Sequence, residues 1–209
     1  MGRWGCLGRV MVLPGKKGAG EEGWEMYILI GLKVNGFTCK STFKSSDFFF
    51  NGLAKPGNTS NSVGSIGTNA YVTQIPGLNT QGVAMARVDF ALGGVGPPNF
   101  HPRASEIIFV LYGKLYVGFI TTDNVLVSNT IKKGDVYTLP RGLVHFHVNK
   151  GKGPAAFIAA FNSQNPTIQF VPTALFASKP LVPDHVLETA FQINKKEVEK
   201  IRAKVSRTQ

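Results

Sequence analysis

Cysteine, acidic side chains and long apolar runs are all scarce in this 209-residue chain, and each scarcity removes a class of protein. Two cysteines, Cys6 and Cys39, cannot build a disulfide-dense scaffold, although they leave room for one bridge. No apolar stretch reaches the ~18–20 residues of a helical membrane span. The longest candidate near the start, residues 26–32, is short and follows Glu21, Glu22 and Glu25. The N-terminus also lacks the ordered basic segment, apolar stretch and small-residue cleavage site of a secretory signal. Asp and Glu number 12 against 23 Lys and Arg, a net charge of +11. That excess is dispersed, with +2 over residues 1–35, +2 over 36–79, +4 over 80–172 and +3 over 173–209. No basic arm of the kind that grips nucleic acid stands out, and Lys195, Lys196, Lys200, Arg202 and Lys204 share their segment with Glu197 and Glu199. The charge reads as a solvated basic surface, suited to an acidic polysaccharide or a membrane face rather than to nucleic acid.

What is present points to one domain with a sizeable core, since 43% of residues are hydrophobic and only 17% charged. Twenty-four glycines and 12 prolines imply many turns and an all-β fold. Residues 1–33 read as a Gly-rich leader of uncertain status, with neither strand nor helix periodicity over 15–23. From about residue 70 short apolar runs alternate with turn residues: 82–92, 106–112, 114–120, 125–128, 135–139, 143–148, 155–161 and 167–171. Such runs predict a sandwich or a small barrel, whose closure removes exposed edges. After Pro183 the period lengthens to that of a helix. Asp184 is expected to cap one short helix, and Asn194 with Glu197 three residues on makes a capping box for a second. Their apolar stripes must fold back on the barrel or pack on another subunit, which favours an oligomer.

The chemistry lies with the histidines. His145 and His147 are two apart, so a strand turns both to one face while Val144, Phe146 and Val148 take the other. His101 ends a Gly/Pro loop spanning 93–102, and Glu106 begins the strand that follows. Imidazoles and a carboxylate meeting inside a barrel can hold a divalent transition metal. His-x-His on a strand is also compatible with a pair of merely hydrogen-bonded side chains. His185 opens a helix elsewhere and reads as structural or exposed, and Asn149 as a support for the strand end. Arg103 and Arg141 flank turns and could attract an anion.

Two segments resemble the paired boxes of the cupins and, more closely, of germins and germin-like proteins. The first runs from Gly93 to Gly113 around Pro97-Pro98-Asn99-Phe100-His101-Pro102-Arg103-Ala104-Ser105-Glu106. The second runs from Gly134-Asp135-Val136 through Pro140-Arg141-Gly142-Leu143-Val144-His145-Phe146-His147-Val148 to Asn149. Similarity continues in Asp47-Phe48-Phe49-Phe50, Pro76-Gly77-Leu78-Asn79-Thr80, Phe161-Asn162-Ser163-Gln164-Asn165-Pro166 and the two helices, so it covers about residue 34 to the end.

The resemblance implies a jelly-roll cupin β-barrel over 34–209, with a C-terminal pair of short α-helices from about 184. It implies manganese held by three histidines and a glutamate, in a secreted, apoplastic homohexamer built as a trimer of dimers. Carried over, the ligands are His101, Glu106 and His145, with Asn99 standing where the family has its fourth ligand, a histidine. An amide oxygen is a weaker donor than imidazole, so a weakened or labile site is expected. His147, where germins commonly carry glutamine, either completes the coordination or stands beside it holding a water. Side chains two apart on a strand start roughly 6.5–7 Å apart, which counts against direct coordination.

The family includes manganese superoxide dismutases with roles in plant defence, and oxalate oxidases. Oxalate oxidase is disfavoured, because Asn79 matches but Ala86 replaces a second substrate-contacting asparagine. The other reading is a non-catalytic cell-wall or storage-type structural cupin with weak or no metal. Asn58-Thr59-Ser60 is a glycosylation sequon. Cys39 corresponds to the second cysteine of the family's disulfide, whose partner is expected a short way upstream, whereas Cys6 lies 33 residues away.

Overall fold

The strands of this chain follow from alternation between residues that need cover and residues that tolerate water. In the computed structural model, which describes residues 10–17, 21–28, 33–40 and 42–206, that alternation produces two facing five-stranded antiparallel sheets. Along the chain come β1 (Val10–Lys17), β2 (Glu21–Ile28), β3 (Lys33–Val34), β4 (Phe37–Thr38), β5 (Ser65–Ala70), β6 (Ala84–Phe90) and β7 (Val95–Phe100). Then follow β8 (Glu106–Tyr112), β9 (Lys114–Ile120), β10 (Leu126–Lys132), β11 (Val136–Leu139), β12 (His145–Asn149), β13 (Ala155–Phe161) and β14 (Gln169–Phe170). One sheet has the order β10-β9-β12-β7-β14 and the other β11-β8-β13-β6-β5.

Between the sheets lies one core. β8 buries Ile108 and Val110, β9 Leu115 and Val117, and β13 Phe157, Ala159 and Phe161, with Phe90 of β6 and Leu139 of β11 closing the layer. Each large apolar side chain removed from water here contributes about 1.5–3 kcal/mol. β8 and β9 are joined through Gly113 alone, at φ +86, where an added Cβ would fall 2.4 Å from the Ala155 Cβ. Glycine is required there twice over, for its backbone angle and for the close approach of β13.

Three expectations need correction. The Gly/Pro segment before His101 is no loop, because Val95–Phe100 forms strand β7 between β12 and β14. Its prolines are tolerated because the register jumps from His145 opposite Asn99 to His147 opposite Gly96, a bulge where ladder bonds are interrupted. The stretch 167–171 gives only the two-residue strand β14, after which α1 (Val171–Phe176) starts with a proline in its first turn. Residues 10–17 and 21–28 pair as antiparallel strands, Val10 opposite Ile28 and Lys17 opposite Glu21, although 15–23 show no periodicity in the sequence.

The C-terminal helices α2 (Asp184–Phe191) and α3 (Lys195–Val205) join α1 in a second small core of Phe176, Leu187 and Val198. Asp184 does not cap α2: Pro183 holds the cap position, and Asp184 pairs instead with Arg202 of α3 and, at 3.9 Å, with Lys195. The capping box of α3 is as the sequence predicts, with Asn194 Oδ1 accepting from the Glu197 amide at 3.1 Å and Glu197 Oε2 accepting from the Asn194 amide at 2.9 Å. Asn194→Ala removes the Oδ1 acceptor while keeping the backbone amide that donates to Glu197, and is expected to lower stability by about 1 kcal/mol, read as a shift of the urea midpoint with unchanged slope. An unchanged midpoint would show that α3 contributes nothing to the cooperative unit. No helix among the described residues is long and apolar enough to cross a membrane.

Candidate metal centre

Three chain segments carry titratable groups into the gap between the sheets. His101 follows β7, Glu106 opens β8 in the opposite sheet, and His145 opens β12 beside β7. The alternation of β12 buries His145, His147 and Asn149 and leaves Phe146 and Val148 half-buried on the other face. Asn99 pairs with His145 across the β7–β12 ladder, so antiparallel partners face the same interior. Exposures are 3% for Asn99, 5% for His101, 4% for Glu106, 2% for His145 and 5% for His147. A charge this deep needs partners.

Ligand atoms of His101, Glu106 and His145 all lie within 4.8 Å of one another. Glu106 Oε2 stands 3.1 Å from His101 Nε2 and 3.4 Å from His145 Nε2. Each imidazole is held from behind: Nδ1 of His145 lies 3.1 Å from the Leu143 carbonyl, and Nδ1 of His101 contacts the Thr167 carbonyl. A carbonyl can only accept, so both Nδ1 atoms carry the proton and both Nε2 lone pairs point at Glu106. Thr167 adopts φ +52 while offering that carbonyl, a left-handed conformation uncommon for a β-branched residue.

Electrostatics set the protonation that a cation needs. Burial pushes the Glu106 carboxyl up, but the close approach of His101 and the fields of His147, His145 and His101 outweigh it and hold the group below its ordinary value. Burial pushes the His145 imidazole down, against the pull of Glu106. His147 is pushed down to about 3 by burial, which Glu106 only partly opposes. The result is a carboxylate beside the imidazoles of His145 and His147, both disfavoured from charging, the state in which such side chains bind metal.

Four buried polar atoms here lack a hydrogen-bond partner: Asn99 Oδ1, Glu106 Oε2, His145 Nε2 and His147 Nε2. The Asn99 amide is oriented by its Nδ2, which donates to the Pro97 carbonyl at 2.9 Å and leaves Oδ1 free. Lone pairs so concentrated in a native interior fit a cation. Two imidazole nitrogens, a carboxylate oxygen and an amide oxygen suit a divalent ion such as Mn²⁺, and thiolates, which softer metals prefer, are missing from the group. His147 lies outside that group, its ring centroid 5.5 Å from that of His145 and 4.9 Å from that of Phe157.

The other candidates sit elsewhere. His185, Arg103 and Arg141 are exposed, and Arg103 Nε donates to the Asn165 carbonyl at 2.9 Å. Asn149 ties off β12 by donating to the carbonyls of Ala91 and Gly153, each at 2.8 Å, and accepting from the Gly151 amide at 2.9 Å. Asn79 is buried with its Nδ2 donating to Phe37 O at 3.2 Å and its Oδ1 accepting from Gln164 at 2.7 Å, while Ala86 belongs to the apolar core. Asn58 is exposed. Cys39 is disulfide-bonded, and Cys6 lies outside the described residues. Sequence reasoning missed the carbonyls of Leu143 and Thr167, because backbone atoms leave no compositional trace.

Comparison with known proteins agrees with this geometry. The cupin family model matches residues 51–199. Nectarin-1 of Nicotiana plumbaginifolia is 56% identical over 173 residues, covering 83% of this chain and 76% of that protein. Germin-like protein 5-1 of Oryza sativa subsp. japonica is 55% identical over 175 residues, covering 84% and 79%. A solved structure of recombinant oxalate oxidase in complex with glycolate superposes with a TM-score of 0.80 at 44% identity, covering 83% of this chain and 89% of that one.

Proposed function

The chain belongs to the germin-like proteins of the cupin family, and from that membership we propose that it is a secreted, apoplastic manganese-binding protein with superoxide dismutase activity and a role in plant defence. The observation that carries this reading is the convergence of buried donors from His101, Glu106 and His145, with the unpartnered Oδ1 of Asn99, opposite His145 in the ladder, as the candidate fourth. Bound manganese would supply the one-electron couple that converts superoxide to dioxygen and hydrogen peroxide.

The chain's own residues define what can use such a site. Glu106 places a single negative charge against the ion, and the Leu143 and Thr167 carbonyls hold both imidazoles in the coordinating tautomer. Phe161 packs 4.8 Å from the His101 ring and Phe157 lines the wall at His147, so the surroundings are apolar. A diatomic anion suits that enclosure better than a dicarboxylate. Ala86 offers no polar contact, and the Asn79 amide is engaged with Phe37 and Gln164, which weighs against oxalate oxidation.

We place the protein in a homohexamer, a trimer of dimers, glycosylated at the exposed Asn58. Support comes from exposed apolar side chains on the outer face of one sheet, among them Ile107, Phe109, Met85 and Val136. The replacement of an imidazole by Asn99 favours a second reading, a structural or storage-type cupin of the cell wall with little metal. Manganese content and superoxide-dismutating activity, measured on the same purified sample, separate the two. The expected result is about one manganese per chain, with activity lost on chelation and restored by Mn²⁺. A folded, metal-free and inactive protein that takes up no manganese would establish the structural reading instead.

A further inference from the structure

The outer face of the β10-β9-β12 sheet carries a row of lysines unrelated to the interior site. Lys114 on β9 stands directly opposite Lys132 on β10, and their neighbours Leu115 and Ile131 are buried, so both lysines face outward. On the other side of β9, Asn149 of β12 pairs with Leu115, and the Lys150 amide donates to the Lys114 carbonyl at 3.0 Å, extending that ladder by one residue. Asn149 is buried, so Lys150 also faces outward. Three lysines therefore stand abreast on neighbouring strands, at the ~4.8 Å spacing of a ladder. Lys133 follows Lys132, and Lys152 lies just past Gly151, which packs against Lys114. All five are exposed.

Like charges directly opposed in a sheet are destabilising unless something neutralises them. Among the described residues none of these lysines forms an ion pair. The adjacent acid, Asp135, spends Oδ2 on the Lys132 amide at 2.9 Å. Lys150 places its ammonium 4.4 Å over the Tyr116 ring. Among the described residues the row has no counter-charge.

We propose that this row binds a carboxylated polysaccharide, with the uronate groups supplying the missing negative charges. What surrounds the lysines selects that partner. Along the same face the row is followed by Tyr116 opposite Thr130 and then by Ser128, whose Oγ accepts from the Tyr116 hydroxyl at 3.0 Å. Hydroxyl groups beside a row of ammonium groups suit a carboxylated sugar chain, whose own hydroxyls exchange hydrogen bonds with them. A lipid surface needs apolar side chains to insert beside the charges. Here the exposed Ile120 and Leu126 lie at the far end of the β9–β10 hairpin. Stacked nucleobases need open aromatic platforms, and Lys150 covers the Tyr116 ring.

The test is binding of the full chain to polygalacturonate at low and high salt, beside double-stranded DNA and vesicles containing anionic lipid. The triple variant Lys114→Gln, Lys132→Gln, Lys150→Gln is compared with Lys195→Gln, Lys196→Gln, Lys200→Gln on the C-terminal helix. The expected result is salt-sensitive binding to polygalacturonate, weakened at least tenfold by the first set and less than twofold by the second. The first set should melt no lower than the native chain, since it relieves repulsion. Equal binding by the first triple variant would overturn the proposal. So would absence of polygalacturonate binding, or equally tight binding of DNA or vesicles.

Discussion

Glu106→Gln is expected to lower metal affinity at least 100-fold, or about 2.7 kcal/mol or more, while leaving the barrel folded. Glu106 is the only carboxylate in the candidate group, and its Oε2 lies 3.1 Å and 3.4 Å from the two imidazole nitrogens. Removing its charge leaves neutral donors to offset the desolvation of a divalent ion, which they do poorly in a low-dielectric interior. Glutamine keeps the shape and brings an NH₂ group that can donate to the His101 Nε2 lone pair, so the metal-free variant gains a hydrogen bond where the native carboxylate faces that lone pair. Two measurements read the outcome: metal content after dialysis, and the fall in melting temperature on adding a chelator. A ligand present at 100 times its dissociation constant stabilises by about 2.7 kcal/mol, so the native protein should lose several degrees and the variant nothing. Retained metal in Glu106→Gln would move the centre away from this group.

The residues named by their spacing came together because sequence spacing and strand geometry act through the same rule. β8, β9 and β13 begin and end where their apolar runs do, since each has one face in the core. Where that rule is suspended, the sequence is silent. β5 reads Ser-Ile-Gly-Thr-Asn-Ala and lies at a sheet edge, so it carries little apolar signal. β7 hides behind Pro97 and Pro98, which a bulge accommodates. At the site, His101, Glu106 and His145 could be named from motif spacing, but the tautomers could not. Those depend on the Thr167 and Leu143 carbonyls, brought there by tertiary folding. The separation of His147 from the ligand group has the same origin. Strand periodicity puts it on the correct face, and only the three-dimensional arrangement seats it against Phe157 and Phe90.

Asn99→His is expected to slow the loss of manganese to a chelator and tighten binding by about tenfold, roughly 1.4 kcal/mol. Position 99 faces His145 across the ladder, its Oδ1 is buried and unpartnered, and its Nδ2 is held by the Pro97 carbonyl. The native donor offered there is a neutral amide oxygen, buried and free to accept, and an imidazole nitrogen at the same position is the stronger base toward a first-row cation. Opposing this is volume. Histidine exceeds asparagine, position 99 is 3% exposed, and overpacking costs about 1–3 kcal/mol. The signs separate by measurement: overpacking lowers the melting temperature of the metal-free variant, whereas better coordination enlarges the rise that Mn²⁺ produces. Asn99→Ala supplies the opposite arm, expected to speed metal loss with little overpacking. Unchanged metal retention in both variants would show that position 99 takes no part in coordination. The three remaining side chains, His101, Glu106 and His145, would then hold the ion alone, leaving more of its coordination sphere open to small ligands.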